Sequence, residues 1–105
     1  MNRLLELILK MEERPGMWIG NDNTDFLFQF LSGYCYAKLE GTDESSWVSE
    51  LGKWLFVDFR EYLAERYKDS RTIHWAGLIS ANEVNGNSTD AFFRLLHEYL
   101  EEHPI

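Results

Sequence analysis

The chain is poor in several residue types that characterise common protein classes. It has one cysteine and two prolines among 105 residues. A single cysteine, Cys35, cannot form an internal disulfide, and no charged leader with a cleavage site precedes the first predicted helix, so we expect a reducing, cytoplasmic location. No apolar run reaches the roughly 20 residues that span a bilayer, so we expect no membrane association.

Basic residues are also scarce. Ten lysines and arginines stand against 18 acids, which gives a formal net charge of −8. Proteins hold nucleic acid largely through lysine and arginine contacts to phosphates, so this balance argues against a nucleic-acid ligand. A basic protein partner is the better match to an acidic chain.

The chain also lacks linkers, repeats and low-complexity tracts, and a core of this size supports one domain. The alternation typical of β-strands never persists for more than about four residues, whereas helical spacing recurs throughout. The sequence therefore predicts an all-α fold, a compact single domain over residues 1–105 with four main helices plus one short helix. The predicted helices cover residues 2–13, 24–41, from 49 onward, 72–81 (the short one) and from 87 or 88 onward.

Two of these helices carry specific expectations. The helix beginning near Thr24 is predicted to bury one broad face, which consists of Phe26, Leu27, Phe30, Leu31, Tyr34 and Cys35. The helix from Ser49 has the clearest apolar periodicity, and Asp58 interrupts it. A carboxylate at such a position either pairs with an arginine such as Arg60, Arg66 or Arg94, or lies at the edge of an interface.

No arrangement typical of an active site is present. His97 and His103 are six residues apart, which does not place both on one helical face, and His74 is distant from both. His74 is expected to cap or cover the short helix. No basic residue close to Cys35 would lower the pKa of its thiol, so Cys35 is expected to be a small buried hydrophobe. We therefore predict no catalytic residues, no metal and no cofactor, and that the protein is not an enzyme.

Aromatic residues are abundant, at 15% of the chain. Trp18 lies in a Met-Trp-Ile segment of an expected interhelical connection, Trp47 follows an acidic loop, and Trp75 follows His74. Rings of this kind either fill volume between few helices or form contact area at an interface, where acidic neighbours steer a basic partner. We predict Trp18 and Trp47 as binding residues, together with the acidic residues Asp22, Asp43, Glu44, Asp58, Glu61 and Glu65.

Five segments together resemble a protein family. They are Pro15 to Gly20 with its Met-Trp-Ile-Gly, Phe30-Leu31-Ser32-Gly33-Tyr34, Phe59 to Tyr67, Trp75 to Ile79, and Phe92 to Tyr99. In this order they are similar to motifs of small bacterial immunity proteins associated with contact-dependent growth-inhibition and other polymorphic toxins. Most of the matched residues are of core type, so the resemblance covers much of the fold.

The resemblance implies that this chain binds and neutralises the C-terminal domain of a cognate toxin. The acidic composition favours a nuclease toxin, whose active-site surface is basic. The alternative is an acidic interaction module without a toxin partner, such as an adaptor or an anti-activator. The abundant aromatics also make a homodimer possible.

Overall fold

The computed structural model describes residues 2–13, 24–39, 51–83 and 87–105 of the chain. Within them the protein is all-α, as predicted. The radius of gyration is 13.4 Å, close to the value of about 13 Å expected for a compact chain of this length. The helices are α1 (Arg3–Glu13), α2 (Thr24–Leu39), a π-helix (Trp54–Phe59) that runs directly into α3 (Arg60–Tyr67), α4 (Trp75–Asn82) and α5 (Ser88–Glu102). With the π-helix and α3 counted together, these are four main helices and one short helix, α4.

Helix starts in this fold are fixed by polar side chains. The Asn2 Oδ1 atom accepts hydrogen bonds from the backbone N–H of Leu4 and Leu5 at 2.9 and 3.1 Å. Asn87 does the same for the first turn of α5, at 2.9 and 3.1 Å. His74 accepts from the Gly77 N–H at 3.0 Å through Nδ1 and so caps α4, as expected. These bonds satisfy amide groups that a helix leaves unpaired at its start.

The π-helix corrects the periodicity that the sequence suggests after Ser49. A π-helix closes i→i+5 hydrogen bonds, so it holds more residues per turn than an α-helix. Trp54, Leu55 and Phe56 are consequently buried in succession, and Asp58 is turned to solvent instead of interrupting a buried face. The short helix also begins later than predicted, because the extended backbone of His74 delays its start to Trp75.

Aromatic rings form the centre of the core. Trp75, Phe59 and Phe92 are all completely buried. The Trp75 and Phe92 ring centroids are 4.8 Å apart, and Phe59 meets Phe92 edge to face at 5.8 Å. For Trp75 the sequence left two roles open, filling volume in the core or forming contact area at an interface. The structure decides for the core, because α4 carries Trp75 inward against both the π-helix and α5.

The broad apolar face predicted for α2 is also wrong. Leu27, Leu31 and Cys35 are buried, but Phe26 and Phe30 are 54% and 40% exposed. Residues spaced by four form a single narrow stripe on a helix, and this stripe is what packs against the rest of the fold. At the start of α2 the buried Thr24 hydroxyl lies 2.9 Å from the Ser80 hydroxyl of α4, which ties the two helices together. None of the described helices is long and apolar enough to cross a membrane.

Candidate docking groove

Eight residues were predicted to contact a partner, and the structure describes three of them. Asp58, Glu61 and Glu65 lie within the described residues, whereas Trp18, Asp22, Asp43, Glu44 and Trp47 lie outside them. The three described acids follow one another at spacings of three and four, so they share one face of the π-helix and α3. All three are exposed and line the same groove.

This groove, the acidic groove, runs between α3 and the end of α5 and has a volume of about 720 Å³. Its described lining residues are Trp54, Asp58, Glu61, Tyr62, Glu65, Tyr99, His103, Pro104 and Ile105. Among them three are carboxylates and none is lysine or arginine. The groove therefore combines a negatively charged rim with an aromatic floor.

The floor is part of an aromatic cluster that reaches down to the core. Tyr62 and Tyr99 meet edge to face with ring centroids 5.4 Å apart, and Phe59 supports Tyr99 from below at 5.4 Å. His103, just beyond the end of α5, stacks on Tyr99 at 4.9 Å with 29° between the ring planes. Because fully buried Phe59 holds Tyr99 in place, the floor of the groove is preorganised by core packing.

Asp58 has no ion pair with any described residue. Arg60, Arg66 and Arg94 were considered as its partners, and each of them instead binds another acid: Glu61 at 3.0 Å, Glu98 at 2.9 Å and Glu83 at 2.5 Å, respectively. The predicted internal pairing of Asp58 is therefore wrong. Its position at the edge of an interface, which was the alternative, stays a prediction.

The other two acids of the rim are held by weak pairs. Glu61 binds Arg60, and Glu65 binds Lys68 at 2.6 Å. The hydrogen bond from Lys68 lowers the pKa of the Glu65 carboxyl below its ordinary value. Both carboxylates are well exposed, and exposed pairs of this kind contribute little stability. A cationic partner can therefore replace Arg60 and Lys68 as the binding partners of these carboxylates with little loss of stability.

Nearby carboxylates, including Asp58 of the rim, also affect the tyrosines of the floor. Burial, followed by the nearby charge of Asp58, raises the pKa of Tyr99 above its ordinary value. Burial likewise raises the pKa of Tyr62, with further contributions from Glu102 and Glu98. Carboxylates thus act on both tyrosine hydroxyls. A positive charge placed on this floor would be stabilised by the same field.

Other residues with reactive side chains serve packing or pairing. Cys35 is completely buried, and this burial raises the pKa of its thiol to about 11, which confirms it as a buried hydrophobe. His97 lies on the exposed flank of α5, where its Nε2 atom is 2.8 Å from Glu12 Oε1 on α1. Within the described residues no three His, Cys, Asp or Glu side chains are grouped so as to hold a metal ion.

A second, smaller groove of about 410 Å³ lies against α1. We call it the N-terminal groove, and it is lined by Arg3, Glu6, Leu7, Lys10 and Tyr34. Lys38 extends over the Tyr34 ring at 5.5 Å from its centroid. The two described grooves are thus both aromatic but differ in charge.

Several residues of the acidic groove were not predicted. Tyr62 could have been identified from its place among the three acids of one helix face. Trp54 lies on the π-helix that also carries Asp58. Tyr99, His103, Pro104 and Ile105 give no comparable signal, because they reach the groove only through the packing of α5 against α3.

We also compared the chain with known proteins by sequence and by structure. No protein-family model, curated protein or solved structure matches it.

Proposed function

We propose that this protein is a cytoplasmic immunity protein that binds a cognate bacterial toxin domain and neutralises it. The acidic groove is the docking surface in this proposal, and the observation that carries it is that the Asp58 carboxylate forms no ion pair with the residues that the structure describes. A folded protein that keeps a carboxylate unpaired, beside two others held only weakly, has charge available for a partner. The role of the chain is to bind and cover, without chemistry of its own.

The acidic rim favours a nuclease as the toxin. A nuclease binds the phosphates of its substrate with lysine and arginine side chains, so its active-site surface is basic. The groove presents Asp58, Glu61 and Glu65 in a row along one helix face, with aromatic rings beneath them. The carboxylates would steer the encounter and replace the phosphates, while the rings would supply desolvated contact area.

The proposal predicts a toxin reading frame immediately upstream of the gene for this chain, and co-expression of the chain with the C-terminal domain of that toxin tests it. We expect the wild-type chain to restore growth and to co-purify with the toxin domain. The triple variant Asp58→Asn, Glu61→Gln, Glu65→Gln should lose both effects. A matched variant, Glu6→Gln, Glu13→Gln, Glu101→Gln, removes the same net charge from exposed residues outside the groove and should behave as wild type.

Two outcomes would contradict the proposal. If the wild-type chain neither rescues growth nor co-purifies, the toxin partner is wrong, and an adaptor or anti-activator role becomes the better explanation for an acidic docking surface. If both triple variants rescue equally well, the acidic groove is not the docking surface.

A further inference from the structure

The acidic groove combines two features that together fit one kind of side chain. Its floor consists of aromatic rings between α3 and α5. The ring centroids of Tyr62 and Tyr99 are 5.4 Å apart, and Tyr62 is half-buried while Tyr99 is buried. Its rim carries carboxylates, of which Asp58 has no ion pair with any residue that the structure describes. A flat cation satisfies both, because it can stack on a ring and donate hydrogen bonds to a carboxylate at its edge.

The chain itself shows that the floor accepts a flat nitrogen-containing ring. The His103 imidazole lies on Tyr99 at 4.9 Å and 29°, and it meets Tyr62 edge-on at 6.2 Å. His103 is exposed and lies beyond the last turn of α5, so its side chain can rotate away without disturbing the core. Its backbone N–H bonds to the Tyr99 carbonyl at 2.8 Å, and that bond does not depend on where the imidazole lies.

We propose that the acidic groove receives an arginine side chain of the partner, with its guanidinium stacked on the Tyr99 ring in place of His103, edge-on to Tyr62, and paired with Asp58. The inference deepens the proposed function and rests on it for the identity of the partner, but the groove's preference for arginine can be measured without that partner. Arginine is favoured over lysine, since a planar guanidinium stacks on rings and forms two parallel bonds to one carboxylate, whereas an ammonium does neither.

The direct test is an NMR titration of the full chain with three small probes. They are Nα-acetyl-arginine amide, Nα-acetyl-lysine amide and Nα-acetyl-citrulline amide, the last of which keeps the shape of arginine without its charge. We expect arginine to produce saturable shifts in the ring signals of Tyr62 and Tyr99. Lysine should bind at least about threefold more weakly because it cannot stack, and citrulline should give no saturable shift.

Three single variants separate the groove from general acidity. Asp58→Asn should weaken arginine binding by about fivefold or more, because it removes the charge that the guanidinium pairs with. His103→Ala should tighten binding, since the competing ring is gone. Glu101→Gln, an exposed carboxylate of α5 that does not line the groove, should leave binding unchanged. Asp58 and His103 are both exposed, so we expect all three variants to fold, and thermal melting checks this.

Equal binding of arginine and citrulline, shifts that avoid Tyr62 and Tyr99, or full binding by Asp58→Asn would each overturn the inference. These results are distinguishable from a failure of the proposed function. Saturable arginine binding without growth rescue would leave the groove's specificity intact and remove the toxin partner. Growth rescue without arginine selectivity would support the toxin partner and overturn the groove's preference for arginine.

Discussion

The lysines and arginines of the two halves of the chain differ in their ion pairing. In the second half, five of the six described lysines and arginines bind a carboxylate, with Lys53 as the exception; the five are Arg60, Arg66, Lys68, Arg71 and Arg94. In α1 and α2, by contrast, Arg3, Lys10 and Lys38 have no ion pair within the described part of the chain. Paired cations leave the remaining carboxylates of the second half to determine its surface. The acidic groove forms there, and the mixed N-terminal groove forms against α1.

This contrast shows that the net charge of the chain alone does not locate the acidic groove. What distinguishes the acidic groove is that its neighbouring arginines are already occupied, so that Asp58 keeps its charge available. The aromatic residues of the two halves also differ, in how firmly the core supports them. The floor of the groove is anchored to the core through Phe59, whereas α2 presents Phe26, Phe30 and Tyr36 at exposed positions. Charge and rigidity therefore coincide in one half of the molecule.

Among the changes that test this contrast, truncation of Phe59 should cause the largest loss of stability. Phe59 is completely buried and supports the ring of Tyr99. We expect Phe59→Ala to lower the free energy of unfolding by about 3–5 kcal/mol through the cavity it leaves. Leu7→Ala, in the half-buried lining of the N-terminal groove, should cost less than half as much. Urea denaturation measures both, and equal losses would mean that the two grooves are supported alike.

Two glycines offer a smaller and matched comparison. A Cβ added at Gly52 would lie 3.1 Å from Phe56 Cδ2 and 3.2 Å from Cys35 Sγ, so Gly52→Ala should cost about 1–3 kcal/mol. A Cβ added at Gly33, inside α2, meets no described atom within 4 Å. Gly33→Ala should therefore stabilise by about 0.5–1 kcal/mol through helix propensity. Thermal melts of the two variants should shift in opposite directions, and a shared direction would contradict the packing at Gly52.

The acid side of the stability profile should depend on Asp69, whose carboxylate binds Arg71 at 2.6 Å and Asn82 at 3.0 Å. The Arg71 and Asn82 hydrogen bonds hold its pKa well below the ordinary range. A depressed pKa in the folded state gives stability that is present above the unfolded value, near pH 4, and is lost as the pH falls below it. Asp69→Asn should thus lower the melting temperature at pH 7 and flatten its fall on acidification.

The matched control for this experiment is Glu13→Gln, a change at an exposed carboxylate on α1. We expect its acid profile to follow that of the wild type. Identical profiles for wild type and Asp69→Asn would show that the pairing of Asp69 does not contribute to stability.

The smallest effect concerns the thiol of Cys35. Burial on the inner face of α2 raises the pKa of this thiol to about 11, so the thiolate is scarce at neutral pH and the sulfur is out of reach. We expect iodoacetamide to leave the native protein unmodified at pH 7 and to label it fully in 6 M guanidinium chloride, as about one added group by mass spectrometry. Rapid labelling of the native protein would mean that α2 separates readily from the second half.

Local chemistry explains what was predictable here. The spacing of apolar residues predicted α1, Asn87 was one of two residues predicted to cap the last helix, and His74 was predicted to cap or cover the short helix. These features depend on a few neighbouring residues. The same kind of reasoning correctly placed Cys35 in the core.

The remaining features depend on how helices cross. Periodicity assumes α-helical turns, so it misplaced Asp58, which the π-helix rotates to solvent. The burial of Trp75 follows from the contact of α4 with the π-helix and α5, and the pairing of Tyr62 with Tyr99 follows from the packing of α3 against α5. Long-range contacts of this kind leave no pattern in the local sequence, so neither Trp75 nor the groove floor could be assigned beforehand.

The central claim is that the acidic groove, and not the overall negative charge, recruits a basic partner. The most direct test compares association rates with the toxin domain, at low and high salt, for the Asp58→Asn, Glu61→Gln, Glu65→Gln variant and the matched Glu6→Gln, Glu13→Gln, Glu101→Gln variant. We predict that the groove variant associates about tenfold more slowly at low salt and loses most of its salt dependence, while the matched variant stays within about twofold of wild type. Equal slowing of both variants would contradict the claim.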